Sequence, residues 1–154
     1  MKYSVKFSDA IHILAYIEIF KGTDLSSEVI ATSVETNAVS VRKIMSQLKK
    51  SGLIISHSGK AVPKLSRKPE KISLYDIYRS VESHSDLFHV DTKTAPGCIV
   101  GGNIQDVLLE KYDLLQQSVE NEMKKITLRD IIGEISEREI EKHPENRNQV
   151  RPFL

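Results

Sequence analysis

Residues 23 to 55 constrain the chain most, because they read as two helices joined by a tight turn and followed by an apolar strand. Ser26 or Ser27 caps the first helix, since a hydroxyl oxygen there accepts an orphan backbone N–H. Val29, Ile30 and Ala31 supply its apolar side, Val34-Glu35-Thr36 makes the turn, and Asn37 caps the second helix. In that helix Val41, Ile44, Met45 and Leu48 share one face at three- and four-residue spacing. A step of about 100° per residue puts Val39, Arg42, Lys43, Ser46 and Lys50 on the other side. Gly52 stands where a left-handed residue ends a helix, and Leu53-Ile54-Ile55 starts a strand. A helix pair with a buried stripe and a basic outer face suits a major-groove reader. The competing reading is an ordinary helical hairpin with a solvated charged face.

The adjoining stretch strengthens the first reading. Ser58 to Pro63 carries turn chemistry, and Lys64-Leu65-Ser66 returns as a second strand against 53–56. Two strands with a basic tip after a helix-turn-helix make a wing. His57, Lys60, Lys64, Arg67, Lys68 and Lys71 surround it, a cluster suited to phosphates. The net charge of +1 hides a division. Residues 1–72 hold twelve Lys and Arg against six Asp and Glu, whereas residues 73–154 hold ten against fifteen. The basic half is the half that carries the reader and the wing.

Upstream, Ser8 is positioned to cap a helix to about Phe20, with Ile11, Leu14, Ala15 and Ile19 at helical spacing and Lys21-Gly22 closing it. His12 lies between apolar neighbours in this helix and reads as structural. Downstream, Ser73-Leu74-Tyr75-Asp76 is a capping arrangement opening a helix to about Ser83, with Leu74, Ile77, Tyr78 and Val81 inward. Residues 84–102 read as irregular. Their His84, Asp86, His89 and Asp91 match no metal-ligand spacing, so no metal is assigned. Asn103 is expected to cap the longest helix, to about Ile126. Its stripe of Ile104, Val107, Leu108, Tyr112, Leu115, Val119 and Met123 is too long for a small domain to cover; a second copy is the simplest partner, and the alternative is that the helix folds back on its own domain. Thr127-Leu128-Arg129-Asp130 repeats the Ser73 cap and opens a short last helix over Leu128, Ile131, Ile132 and Ile135. From Glu137 the chain is charged and reads as a disordered tail.

The single cysteine, Cys98, excludes an internal disulfide and any multi-cysteine metal site. No signal-peptide layout and no run of about 18 apolar residues is present, which predicts a cytoplasmic protein. Near a helix amino terminus a thiolate is favoured, which makes Cys98 a candidate redox sensor alongside the alternative of an incidental cysteine. An enzyme using Cys98 with His84 or His89 is disfavoured, because nucleophile motifs and an oxyanion site are both missing.

Several of these stretches together resemble a known family. Ala10 to Leu14, Ser26 to Ala31, Asn37 to Leu53, Ile72 to Glu82 and Pro96 to Ile104 are similar, in that order, to the Rrf-type (Rrf-two) bacterial transcriptional regulators, over roughly residues 1–135. The resemblance implies a winged-helix homodimer on a pseudo-palindromic operator, usually as a repressor. Members that hold an iron–sulphur cluster carry three cysteines near the start of the long helix. Here only Cys98 falls there, so the chain looks closer to the clusterless branch and no cofactor is expected. The family's paired wing-tip glycines are replaced by Ala61-Val62.

The expectation is a mainly α fold with a small β-wing (α+β). A winged helix-turn-helix domain spans 1–82, a sensor-type loop 83–102, a dimerisation helix with a short terminal helix 103–136, and a disordered tail 137–154. The predicted function is a dimeric DNA-binding regulator, not an enzyme. Ser27, Asn37, Val39, Ser40, Arg42, Lys43 and Ser46, with Lys60, Lys64, Arg67 and Lys68 of the wing, are predicted to meet double-stranded DNA. Arg42 is the candidate for direct base readout. The effector is left as a small molecule, an oxidant or a protein. The alternative function is a winged-helix module whose loop and long helix dock a partner protein; the acidic second half allows it, and salt-insensitive binding would favour it.

Overall fold

A computed structural model describes residues 4–56, 62–82 and 86–154. The winged unit is built on α1 (Lys6–Ile19), which buries Ala10, Ile13, Leu14, Ala15 and Ile17. Its start differs from expectation. The N-cap is Val5, with no side-chain cap, and Ser8 lies inside the first turn. Ser26 caps α2 (Ser27–Val34), its Oγ accepting from Val29 N at 3.4 Å. Glu35 then takes a left-handed backbone, φ 59°, and turns the chain.

Asn37 Oδ1 accepts from Ser40 N at 2.9 Å and opens α3 (Ala38–Lys50), which buries Val41, Ile44 and Leu48. Beyond its end, Leu53 N donates back to Leu48 O at 2.9 Å. That return needs the left-handed Gly52, φ 74°, where a Cβ would be strained. Strands β1 (Ile54–Ile55) and β2 (Lys64–Leu65) pair antiparallel, Ile54 opposite Leu65, and Ser66 N adds a bond to Leu53 O. The wing tip at 57–61, with His57 and Lys60, lies outside the described residues.

A 3-10 turn at Pro69–Lys71 leads to α4 (Leu74–Val81), opened by a complete Ser73/Asp76 capping box. Then comes α5 (Ile104–Lys125), whose 22 residues include none that is buried. The expected cap at Asn103 does not form. Its Nδ2 donates to Ile99 O at 2.8 Å, so the side chain is turned back onto the preceding turn.

Two further expectations are corrected. The last helix is not short: α6 runs Leu128–Lys142 from a Thr127/Asp130 capping box. It packs on the winged unit, where Leu128 and Ile132 are wholly buried in the core. Nor is 137–154 a disordered tail. After α6 the chain turns through Pro144–Asn146, α7 (Arg147–Val150) and Arg151–Phe153. Val150 is buried and Phe153 packs on the core, so two side chains anchor a segment whose charged residues face water.

The end of α5 and the start of α4 meet. Leu74 N donates to Ile126 O and Leu128 N to Ile72 O, both at 2.8 Å. Lys124 Nζ lies 4.6 Å from the centre of the Tyr75 ring, while Tyr112 and Gln116 meet Phe88 and Leu87 beyond the other end of α4. The two helices are therefore antiparallel. With 22 residues against 8, α5 outruns α4 by about 20 Å at 1.5 Å per residue, and the overhang is its amino-terminal part.

Candidate nucleic-acid interface and sensor segment

Three buried anchors fix the roll of α3. With Val41, Ile44 and Leu48 inside, Val39, Arg42, Lys43 and Ser46 are exposed along the opposite face, and Val39 is 54% exposed. Ser40 is half-buried, and Ser27 opens α2. The Asn37 side chain serves as the helix cap, which commits its carbonyl oxygen to Ser40. Arg42 Nη1 donates to Glu28 Oε1 at 3.1 Å across the turn. Glu28 is not among the residues predicted from sequence. The signal for it is an acid in the first turn of α2, one helix away from a cation on the same outer face.

The wing cations divide in two. Lys64 and Lys68 are exposed. Arg67 is engaged at home: its Nε donates to Lys71 O at 2.9 Å and its Nη2 lies 3.3 Å from Asp76 Oδ2, the carboxylate of the α4 capping box. A guanidinium braces these two acceptors together because its donors form a fixed fork, which an ammonium lacks. The structure thus places Arg67 at the wing's root.

Cys98 is exposed within a compact turn that precedes α5. Gly102 N donates to Cys98 O at 2.8 Å, and Thr94 Oγ1 donates to Gly101 O at 2.7 Å. Hydrogen bonds from the Gly101 backbone, then from Val100, hold the thiol below its ordinary range. The favouring groups are therefore amides of the turn itself. The path is tight: a Cβ on Gly101 would stand 2.4 Å from Ala95 O. Ile99 and Val100 beside the thiol are 89% and 65% exposed.

On α5, Val107 and Leu115 are exposed, as are Leu109 and Leu114, which the predicted stripe omitted. Leu114 lies seven residues after Val107, a spacing that would have revealed it. Ile104, Leu108, Tyr112, Val119 and Met123 are half-buried on the side toward α4 and Phe88. Elsewhere His12 Nε2 and Ser33 Oγ are 2.8 Å apart at the edge of a cleft of about 460 Å³, floored by Ile11, Ala15 and Ile19 of α1 and bordered by Ile135 of α6.

Among the described residues no three His, Cys, Asp or Glu side chains converge as a metal site, and no helix is long and apolar enough to cross a membrane.

A family model described as Rrf2, iron-dependent transcriptional regulator, matches residues 3–134. Over 126 residues the chain is 40% identical to YwnA of Bacillus subtilis (strain 168), which carries the provisional name of HTH-type transcriptional regulator; the match covers 82% of this chain and 93% of YwnA. A crystal structure provisionally described as a DNA-binding protein is 38% identical, with a TM-score of 0.68, covering 82% of this chain and 98% of that one. CymR, the global cysteine regulator of B. subtilis, shares the fold at 21% identity and a TM-score of 0.62, over 85% of this chain and 95% of CymR. The iron in the family's description does not fit the donors present. One exposed thiol in a turn, with no second cysteine in the chain, does not make a cluster site within one subunit.

Proposed function

The chain belongs to the Rrf2 family of transcriptional regulators, and on that premise we propose that it acts as a cytoplasmic homodimeric repressor reading a pseudo-palindromic operator with two α3 helices. Its DNA-binding class follows from the family. One observation supports the choice of reading surface. Val41, Ile44 and Leu48 lock α3 so that Val39, Arg42, Lys43 and Ser46 all face outward. Arg42 is the base reader, through the guanine edge, and Lys43, Lys64 and Lys68 hold phosphates.

The overhang of α5 supports the dimer. Val107, Leu109, Leu114 and Leu115 are apolar, exposed and beyond the reach of α4, and a two-fold partner would cover them. The signal we assign to Cys98 is an oxidant of the peroxide class. The thiolate sulphur takes one oxygen, becomes a sulfenic acid, and the reduced peroxide leaves as water or alcohol. No second cysteine in the chain resolves it, so the oxidised sulphur either persists or joins Cys98 of a second copy.

The test is binding to a fragment carrying the protein's own upstream region, over a series of salt concentrations, with reduced and with peroxide-treated protein. Specific binding whose log affinity falls steeply with log salt is expected. A difference between the two redox states is expected in the wild type and is lost in Cys98→Ser. Binding that is unspecific or insensitive to salt would overturn the DNA-reading role and favour a module that docks a protein.

A further inference from the structure

One carboxylate stands among the cations of the reading face. Glu28, in the first turn of α2, accepts from Arg42 Nη1 at 3.1 Å, joining residues fourteen apart across the turn. The Arg42 and Glu28 side chains are 54% and 70% exposed, so water screens the pair and it adds little to stability. The amino end of α2 favours an acid modestly, yet that preference does not select an arginine partner one helix away. A carboxylate beside DNA also opposes every phosphate nearby. Its useful effect is on Arg42 itself. An arginine side chain loses rotamer freedom when it docks on a base, and a partner that fixes it beforehand removes part of that loss. Holding Nη1 leaves the Nη2 and Nε donors of the fork for the base.

We propose that Glu28 is a positioning residue that sets base specificity: its carboxylate holds the Arg42 guanidinium as a preset fork for a guanine edge in the major groove. The proposal rests on the DNA-reading role of α3 argued above. Glu28 lowers affinity for duplex in general and raises preference for one base pair.

Three substitutions separate position from charge. Glu28→Asp keeps the charge but withdraws the oxygens by one methylene. Glu28→Gln removes the charge but keeps an acceptor oxygen at the same reach, and Glu28→Ala removes both. Each full-length variant is titrated against the protein's own upstream fragment and against unrelated duplex of the same length. We expect Glu28→Ala and Glu28→Asp to lower the ratio of the two affinities by about tenfold, the scale of one good arginine–guanine contact. Glu28→Gln lowers it by no more than about threefold, and in an Arg42→Ala background none of the three changes it further. A ratio that follows charge, with Asp like the wild type and Gln like Ala, overturns the proposal. So does an effect that persists without Arg42. The two readings fail separately: wild-type protein with no specific binding removes the DNA-reading role and this proposal with it, whereas specific wild-type binding with an unchanged ratio in Glu28→Ala removes the role of Glu28 alone.

Discussion

Ser73 and Thr127 face each other across an antiparallel β-bridge, and each also caps a helix through its own capping box. The two boxes are therefore neighbours in space although 54 residues separate them in the chain. We expect Ser73→Ala and Thr127→Ala each to cost about 1 kcal/mol in urea unfolding. The double variant should depart from additivity, because both residues share one set of backbone bonds. Strict additivity would show that the seam carries no coupling between α4 and α6.

Asp130 gives this seam a dependence on pH. The Thr127 N–H, then the Thr127 hydroxyl, hold its carboxyl below the usual range. Its folded pKa lies below the unfolded one, so its contribution is present above the unfolded value and disappears as pH falls through the folded value. Below about pH 4, the ordinary range for aspartate, the wild type should lose stability more steeply than Asp130→Asn. Acid titration of the two proteins followed by circular dichroism checks it; parallel curves would refute it.

Cys98 should alkylate with a midpoint below that of an unperturbed thiol, since backbone amides of Gly101 and Val100 favour the thiolate. Gly101→Ala has no room for its Cβ beside Ala95 O and must open the turn. The variant's iodoacetamide rate profile should therefore move to higher pH while helix content is unchanged. An unmoved profile would show that the turn does not tune the thiol.

The overhang of α5 makes a separate prediction about assembly. Val107→Glu and Leu114→Glu, both at exposed positions, should leave the monomer fold intact and shift sedimentation toward single chains. Ile135→Glu, exposed on α6, is the control and should not. A wild type that sediments as a monomer at micromolar concentration would end the case for the dimer.

The segment from Pro144 is expected to matter for stability. Val150→Ala should cost roughly 1–2 kcal/mol from lost burial of two methyl groups. A chain ending at His143 should lose more, because Phe153 leaves the core with it. Equal stability of full and shortened chains would mean that the segment is merely laid on the surface.

The helix-turn-helix was legible because its signals are local. Ser26, Asn37 and Gly52 announce boundaries through their own backbone chemistry, and the Val41, Ile44, Leu48 period fixes which face is buried. Where a boundary has no such residue the signal misleads. Val5 starts α1 without a side-chain bond, so Ser8 draws the assignment instead. The last segment was illegible for a different reason: Val150 and Phe153 anchor it singly, and two isolated apolar residues make no period. Arg67 looks in sequence like any other wing cation, because only the fold brings Lys71 O and Asp76 to its fork. Glu28 escapes notice since pairing with Arg42 depends on how α2 crosses α3.

The arm formed by α5 and the Cys98 turn is a cantilever. Its carboxyl end is clamped where Ile126 meets Leu74, and its amino end reaches past α4. A beam held at one end delivers a load at its tip to its root as torque, and this root adjoins Asp76, which Arg67 ties to the base of the wing. Over the overhang of about 20 Å, a rotation of about 6° moves the tip by roughly 2 Å. In the homodimer proposed above, two such arms pinned to each other would form a closed frame, and in a frame the same rotation would be taken up by the spacing between the two winged units.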